Sequence, residues 1–196
     1  MTDIPLFPLR AVLLPHGRMS LQVFERRYLD MVSQCLKSDQ GFGVVWIRTG
    51  SEVAELDRPA PQLTQIGTYA RIKDWHTRPN GMLGIVIEGE RRFRLLSSQQ
   101  RDDQLHIAQV EWLEDGADID LPLQAAPLRE LVGQLLNHPH IQRLGYPAAL
   151  DDAETLSCVL SQLLPIDEAM KFRLLSANDA VARLEQLALL LDQMGQ

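Results

Sequence analysis

Five histidines, two cysteines and a close pair of glutamates are the first places to look for chemistry in this 196-residue chain. Imidazoles can hold zinc, but His138-Pro139-His140 is the one histidine pair close in sequence, and no cysteine or carboxylate stands at a supporting spacing. A helix end followed by a turn explains that tripeptide better. Glu88 and Glu90 flank Gly89 as a glycosidase pair could, yet a short spacing inside a hairpin predicts two solvated turn carboxylates. Cys35 and Cys158 have no metal-like spacing and fall on apolar stripes of predicted helices, where a thiol is a small buried hydrophobe. There is no Gly-x-Ser-x-Gly elbow, no His-Glu-x-x-His helix and no Gly-x-x-x-x-Gly-Lys-Ser/Thr loop to cradle phosphates. The expectation is a protein without catalytic residues, metal or cofactor.

Positive charge is carried almost wholly by arginine, since Lys37, Lys73 and Lys171 are the only lysines among 19 basic residues. In the run 90–96, strand alternation puts Arg92 and Arg94 on one face and Arg91, Phe93 and Leu95 on the other. Arg91 is expected to pair with a carboxylate such as Glu25. Arg26, Arg27, Arg92 and Arg94 together would make a basic patch, which keeps RNA binding open as the alternative function. Net charge argues against it: the total is −7, with −1 in residues 1–116 and −6 in 117–196, and an acidic surface repels phosphate backbones. No nucleic-acid partner is expected.

The elements that would position these residues change character near Gly116. Nine of 12 glycines and nearly all strand-like runs come before it, while 19 of 33 leucines come after. Segments 4–9, 11–14, 43–47, 65–75, 82–87, 91–96 and 105–113 read as strands, with one helix at 25–37. Pro5 and Pro8 mark the opening strand as an edge or cover strand, and Glu88-Gly89-Glu90 reads as a reversal. Phe24, Tyr28, Met31, Val32, Cys35 and Leu36 form the helix's apolar stripe. Four helices follow: one from Pro127, one after Asp151-Asp152, one over 167–175 and one over 177–194. The order predicts an α+β fold: a β-rich lobe over 1–116, shaped as a small, partly closed barrel, then a helical bundle over 117–196. The stretch 50–64 reads as a mobile loop and 114–118 as the joint between lobes. No run is long and apolar enough to span a membrane, and no signal segment is visible, so the expected place is the cytoplasm and no membrane partner is expected.

In this order the segments resemble a known family. Leu6-Phe7-Pro8-Leu9, Leu13-Leu14-Pro15-His16-Gly17 and Leu21-Gln22-Val23-Phe24-Glu25-Arg26-Arg27-Tyr28 are similar to the opening of the Lon protease N-terminal substrate-binding domain. Gly67-Thr68-Tyr69-Ala70-Arg71-Ile72 and Ile87-Glu88-Gly89-Glu90-Arg91-Arg92-Phe93-Arg94-Leu95 resemble its next blocks, and Ala169-Met170-Lys171-Phe172-Arg173-Leu174-Leu175 with Val181-Ala182-Arg183-Leu184 its helical close. The resemblance implies a PUA-like pseudo-barrel followed by a helical bundle. With neither the ATPase nor the protease motifs of Lon, the chain is expected to be a free-standing bacterial Lon-like domain, an adaptor working with a separate ATPase or protease. Its expected partners are polypeptide clients with exposed apolar or unfolded segments. Such capture needs exposed apolar surface or a free strand edge. Phe7, Met19, Trp75, Met82 and Leu83 are the candidate contacts, around a groove framed by 15–19 and 50–64, with Trp75 and Met82 flanking the turn at Pro79-Asn80-Gly81.

Overall fold

The computed structural model describes residues 2–49, 62–77, 82–114, 119–147 and 150–194. Strand β1 (Thr2–Leu9) pairs in parallel with β3 (Phe42–Thr49) through residues 6–9 and antiparallel with β6 (His106–Trp112) through residues 2–5. It therefore lies between two neighbours rather than at an edge. The prolines are tolerated because each neighbour uses a different half of the strand, which leaves Pro5 and Pro8 one flank apiece with no ladder to interrupt. β4 (Gln62–Thr77) and β5 (Leu83–Gln100) are long and twisted. The first half of β5 pairs with β2 (Arg18–Val23) and its second half with β6.

The sheet order is β2-β5-β4-β3-β1-β6, with β6 paired to β5 as well. The result is a curled, mixed six-stranded sheet, not a regular closed barrel: the second half of β5 meets β6, while β2, with β5 as its one strand neighbour, stays outside that ring. No reversal occurs at Glu88-Gly89-Glu90, which sits inside β5. Gly89 instead marks a close approach: a Cβ there would lie 2.3 Å from the Leu14 carbonyl oxygen.

Helix α1 (Arg26–Ser38) buries Tyr28, Met31, Val32 and Cys35 against the sheet, as its spacing predicts. Phe24 and Leu36 do not join that stripe; they are 59% and 45% exposed. Phe24 precedes the helix and so escapes its period. Beyond residue 122 come α2 (Ala126–Leu136), α3 (Pro139–Gln142), α4 (Ala153–Leu163), α5 (Glu168–Ser176) and α6 (Ala180–Met194). That is one helix more than expected, since His138-Pro139-His140 opens the four-residue α3. Asp152 caps α4 by accepting from the Thr155 N–H at 2.7 Å, and Asp167 caps α5 likewise through Met170. Asp179 accepts from Val181 and Ala182, so α6 starts at Ala180 rather than at the expected 177, in step with an apolar stripe that begins at Val181.

The later helices build a core that takes in Val12 and Leu14 of the segment between β1 and β2, with Leu156, Val159 and Leu160 of α4, and Trp46 and Ile66 of the sheet pack against it; α1 and the sheet bury a second cluster. Buried polar bonds fasten the same boundary. The Val12 and Leu14 N–H groups donate to Glu168 and Gln162, and the Arg92 guanidinium donates to the carbonyls of Leu175 (3.1 Å), Ala177 (2.9 Å) and Glu114 (3.2 Å). Residues 50–61, the turn at 79–81 and 115–118 of the expected joint lie outside the described residues.

Candidate functional site

Several of the side chains that could have carried chemistry are engaged in structure. Glu88 forms ion pairs with Arg18 and with Lys73 (2.9 Å), and Glu90 pairs with Arg71 at 3.3 Å, so they are ladder carboxylates rather than turn residues. His138 accepts from the His140 N–H through Nδ1 at 3.4 Å and caps α3. Among the described residues, no three His, Cys, Asp or Glu side chains converge as a metal group would require. Both thiols are buried: desolvation pushes Cys35 up to about 11, a backbone hydrogen bond partly opposing it, and raises Cys158 further. Neither is a thiolate at neutral pH. Cys158 is not on a purely apolar face, because α4 carries Glu154 beside it and α6 sends Arg183, wholly buried, to Glu154 (3.1 Å) and Ser157 (2.9 Å).

The arginines do not assemble into a patch. Arg92 is fully buried, because one face of β5 is covered by the helices and the other by the sheet interior, where Phe93 is equally buried. Arg27 pairs with Glu25 at 2.8 Å, Arg26 with Asp30 and Arg94 with Glu111. Arg91 does not meet Glu25; its guanidinium lies 3.6 Å above the Trp112 ring.

One open flank of the sheet, among the described residues, is the outer edge of β2. The Gly89 N–H donates to the Gly17 carbonyl at 2.9 Å, which sets the alternation along the β2–β5 pair. Met19, Leu21 and Val23 turn their backbone groups to Ile87, Ile85 and Leu83, while Arg18, Ser20 and Gln22 turn theirs outward. At Arg18 the outward groups are satisfied by Tyr146, whose hydroxyl accepts from the N–H (2.6 Å) and donates to the C=O (3.2 Å). At Ser20 and Gln22 no hydrogen-bond partner among the described residues meets them. The Arg18 side chain, bound to the Leu144 carbonyl at 3.0 Å and to Glu88, holds that end of the edge in place.

Beside this edge lies a recess of about 210 Å3, walled by Phe7, Leu9, Leu21, Val23, Phe24 and Tyr28, with Ser20 and Gln22 also in its lining. It is smaller than the roughly 300–1,000 Å3 of a typical small-molecule site. Of the residues singled out from sequence, Phe7 is the most buried, at 7% exposure, and stacks on Tyr28 with ring centroids 4.1 Å apart. Met19 and Leu83 are half-buried beside the same core. Trp75 pairs with Ile85 across from Leu21 and is 58% exposed; Met82 is half-buried just before β5. The structure thus brings Phe7, Met19 and Leu83 onto one core and sets Trp75 on β4, two strands from β2. It adds Phe24, Leu21 and the β2 edge, which sequence reasoning passed over because 20–23 read as a mere approach to α1.

A free strand edge beside an apolar recess has the geometry of a recognition surface. Residues 3–193 match the model of the ATP-dependent protease La (LON) substrate-binding domain, and the chain belongs to that family. A Lon N-terminal domain protein from Xanthomonas campestris is 34% identical, with a TM-score of 0.74 over 96% of this chain and 98% of that one. The N-terminal domain of the Mycobacterium avium complex Lon protease shares the fold, with a TM-score of 0.60 at 17% identity and 95% and 96% of the two chains covered. The Lon protease of Heliobacterium modesticaldum is 27% identical over 193 residues, 94% of this chain but 23% of that protein. The chain spans about a quarter of the length of the curated relatives it matches.

Proposed function

We propose that this chain is a non-catalytic protein-interaction module that binds exposed apolar or unfolded polypeptide and presents it to a separate ATPase or protease of the Lon type. Membership of the substrate-binding family supports polypeptide as the ligand class. The observation that carries the reading is the exposure of apolar side chains at the β2-β5-β4 end: Trp75 on β4 and Phe24 just after β2 stand 58% and 59% exposed, and Met19, Met82 and Leu83 nearby in the strand register are half-buried. Large apolar side chains cost free energy in water and regain it against an unfolded partner. In this reading the curled sheet of 1–116 is the PUA-like, client-facing lobe, 117–196 is the supporting bundle, and the module works in the cytoplasm.

Alanine at Trp75 or Phe24 tests it. Each substitution should weaken capture of a reduced, alkylated, permanently unfolded protein by about 1 kcal/mol or more while barely moving Tm. Lowered Tm with unchanged binding per folded molecule would place these side chains in the core and the client surface elsewhere.

A further inference from the structure

We infer that the client enters this module as an added β-strand on the outer edge of β2, its backbone pairing with Ser20 and Gln22 and an apolar side chain seated in the recess behind them. The inference rests on the polypeptide-recognition reading and specifies how recognition is done.

Three observations converge on it. The outward N–H and C=O groups of Ser20 and Gln22 are unpartnered among the described residues, on a strand whose other flank is fully laddered to β5. An unsatisfied strand edge is a template for another extended backbone, and only a chain with alternating donors and acceptors matches it. Next, the first outward position is already filled by Tyr146, whose hydroxyl serves the Arg18 N–H and C=O as a neighbouring strand would. The helical segment therefore ends the edge at Arg18 and leaves the following two positions open. Finally, Leu21 and Val23 wall the recess from the side that packs on α1. Alternate residues of an added strand would point into it, since neighbouring strands share the same pleat.

A second copy of β2 fits this slot poorly. Its residues on the matching face are Met19, Leu21 and Val23, and those already pack into or against their own core. They cannot also fill the recess of a partner, whereas an unfolded client has apolar side chains to spare. A small molecule would use the recess but has no use for the laddered edge.

Backbone pairing is separable from apolar capture by a probe that alters the backbone alone. The probe is a short labelled peptide alternating leucine and threonine, compared with the same peptide N-methylated at alternate residues. The intact chain should bind the parent peptide, and N-methylation on the pairing face should weaken binding about tenfold, the loss expected for two or so hydrogen bonds. Gln22→Pro removes one outward N–H, and proline is tolerated where a strand's N–H faces away from the ladder. It should weaken binding of the unmethylated peptide about threefold, the loss of one such bond. Amide hydrogen exchange at Ser20 and Gln22 should slow when the parent peptide is added. Equal binding of methylated and parent peptides, with no slowing of exchange, would overturn strand addition while leaving apolar capture intact. Failure to bind either peptide or an unfolded, alkylated protein would overturn both. Should Gln22→Pro not fold, the methylated peptide and the exchange measurement decide on the unaltered protein.

Discussion

Tyr146 shows how one side chain can govern the recognition edge. Burial raises its phenol to about 12, with the Arg18 backbone bond and guanidinium acting the other way. Because the folded value exceeds the ordinary value of about 10, the phenol keeps its proton longer folded than unfolded. Its contribution is complete below about pH 10 and is lost as pH climbs to about 12, an effect of about 2–3 kcal/mol. Urea unfolding across that range should show the native chain losing this stability and Tyr146→Phe, already weaker at neutral pH, losing less. Parallel curves would mean the hydroxyl is not held as described. Tyr146 carries no sequence signal, since a lone tyrosine after a short helix is ordinary. Cys35 and Cys158 were legible as buried thiols from helical spacing alone. The roles of Arg91 and Arg92 were not: strand alternation predicts one wet face, yet neighbouring Arg92 and Phe93 are both buried, and exposed Arg91 lies over Trp112 of another strand, which spacing along one strand does not show.

Among the elements, periodicity in sequence located β1, β3, β4 and β6, α1 and four of the later helices, with caps at Asp152 and Asp167 close to where their chemistry suggests; it split β5 into two strands, made a strand of 11–14, which is none, and missed β2. What it missed are tertiary effects. Two prolines pointed to an edge for β1, but divided pairing lets it sit inside the sheet while β2, with no such mark, is the edge. Gly89 read as a turn because glycine serves turns and close approaches alike, and only the packed backbone tells them apart. Gly89→Ala tests the second role. Its methyl group would meet the Leu14 carbonyl oxygen and carbon at 2.3 and 3.0 Å, backbone atoms that cannot swing aside. The expected loss is about 2–3 kcal/mol in chemical denaturation; a neutral substitution would show that β5 and the 14–17 segment are not pressed together.

For the whole molecule, the helices are not an appendage to the sheet. Arg92 joins β5 to the α5–α6 junction, Arg18 and Tyr146 join β2 to the segment after α3, and Val12 and Leu14 complete the helical core. This fixes the client-facing edge from behind. It also makes Arg92→Met costly, by about 3 kcal/mol or more, since buried carbonyls lose their donor; thermal unfolding checks this, and an unchanged Tm would contradict it. The central claim is recognition of unfolded polypeptide through apolar and backbone contacts rather than charge. The most direct measurement titrates the intact chain with one test protein in its native and its reduced, alkylated forms, with single-stranded RNA alongside, at about 0.05 and 0.2 M salt. Binding should be confined to the unfolded form and nearly indifferent to salt. Equal binding of both forms, or binding of RNA alone that collapses at the higher salt, would contradict it.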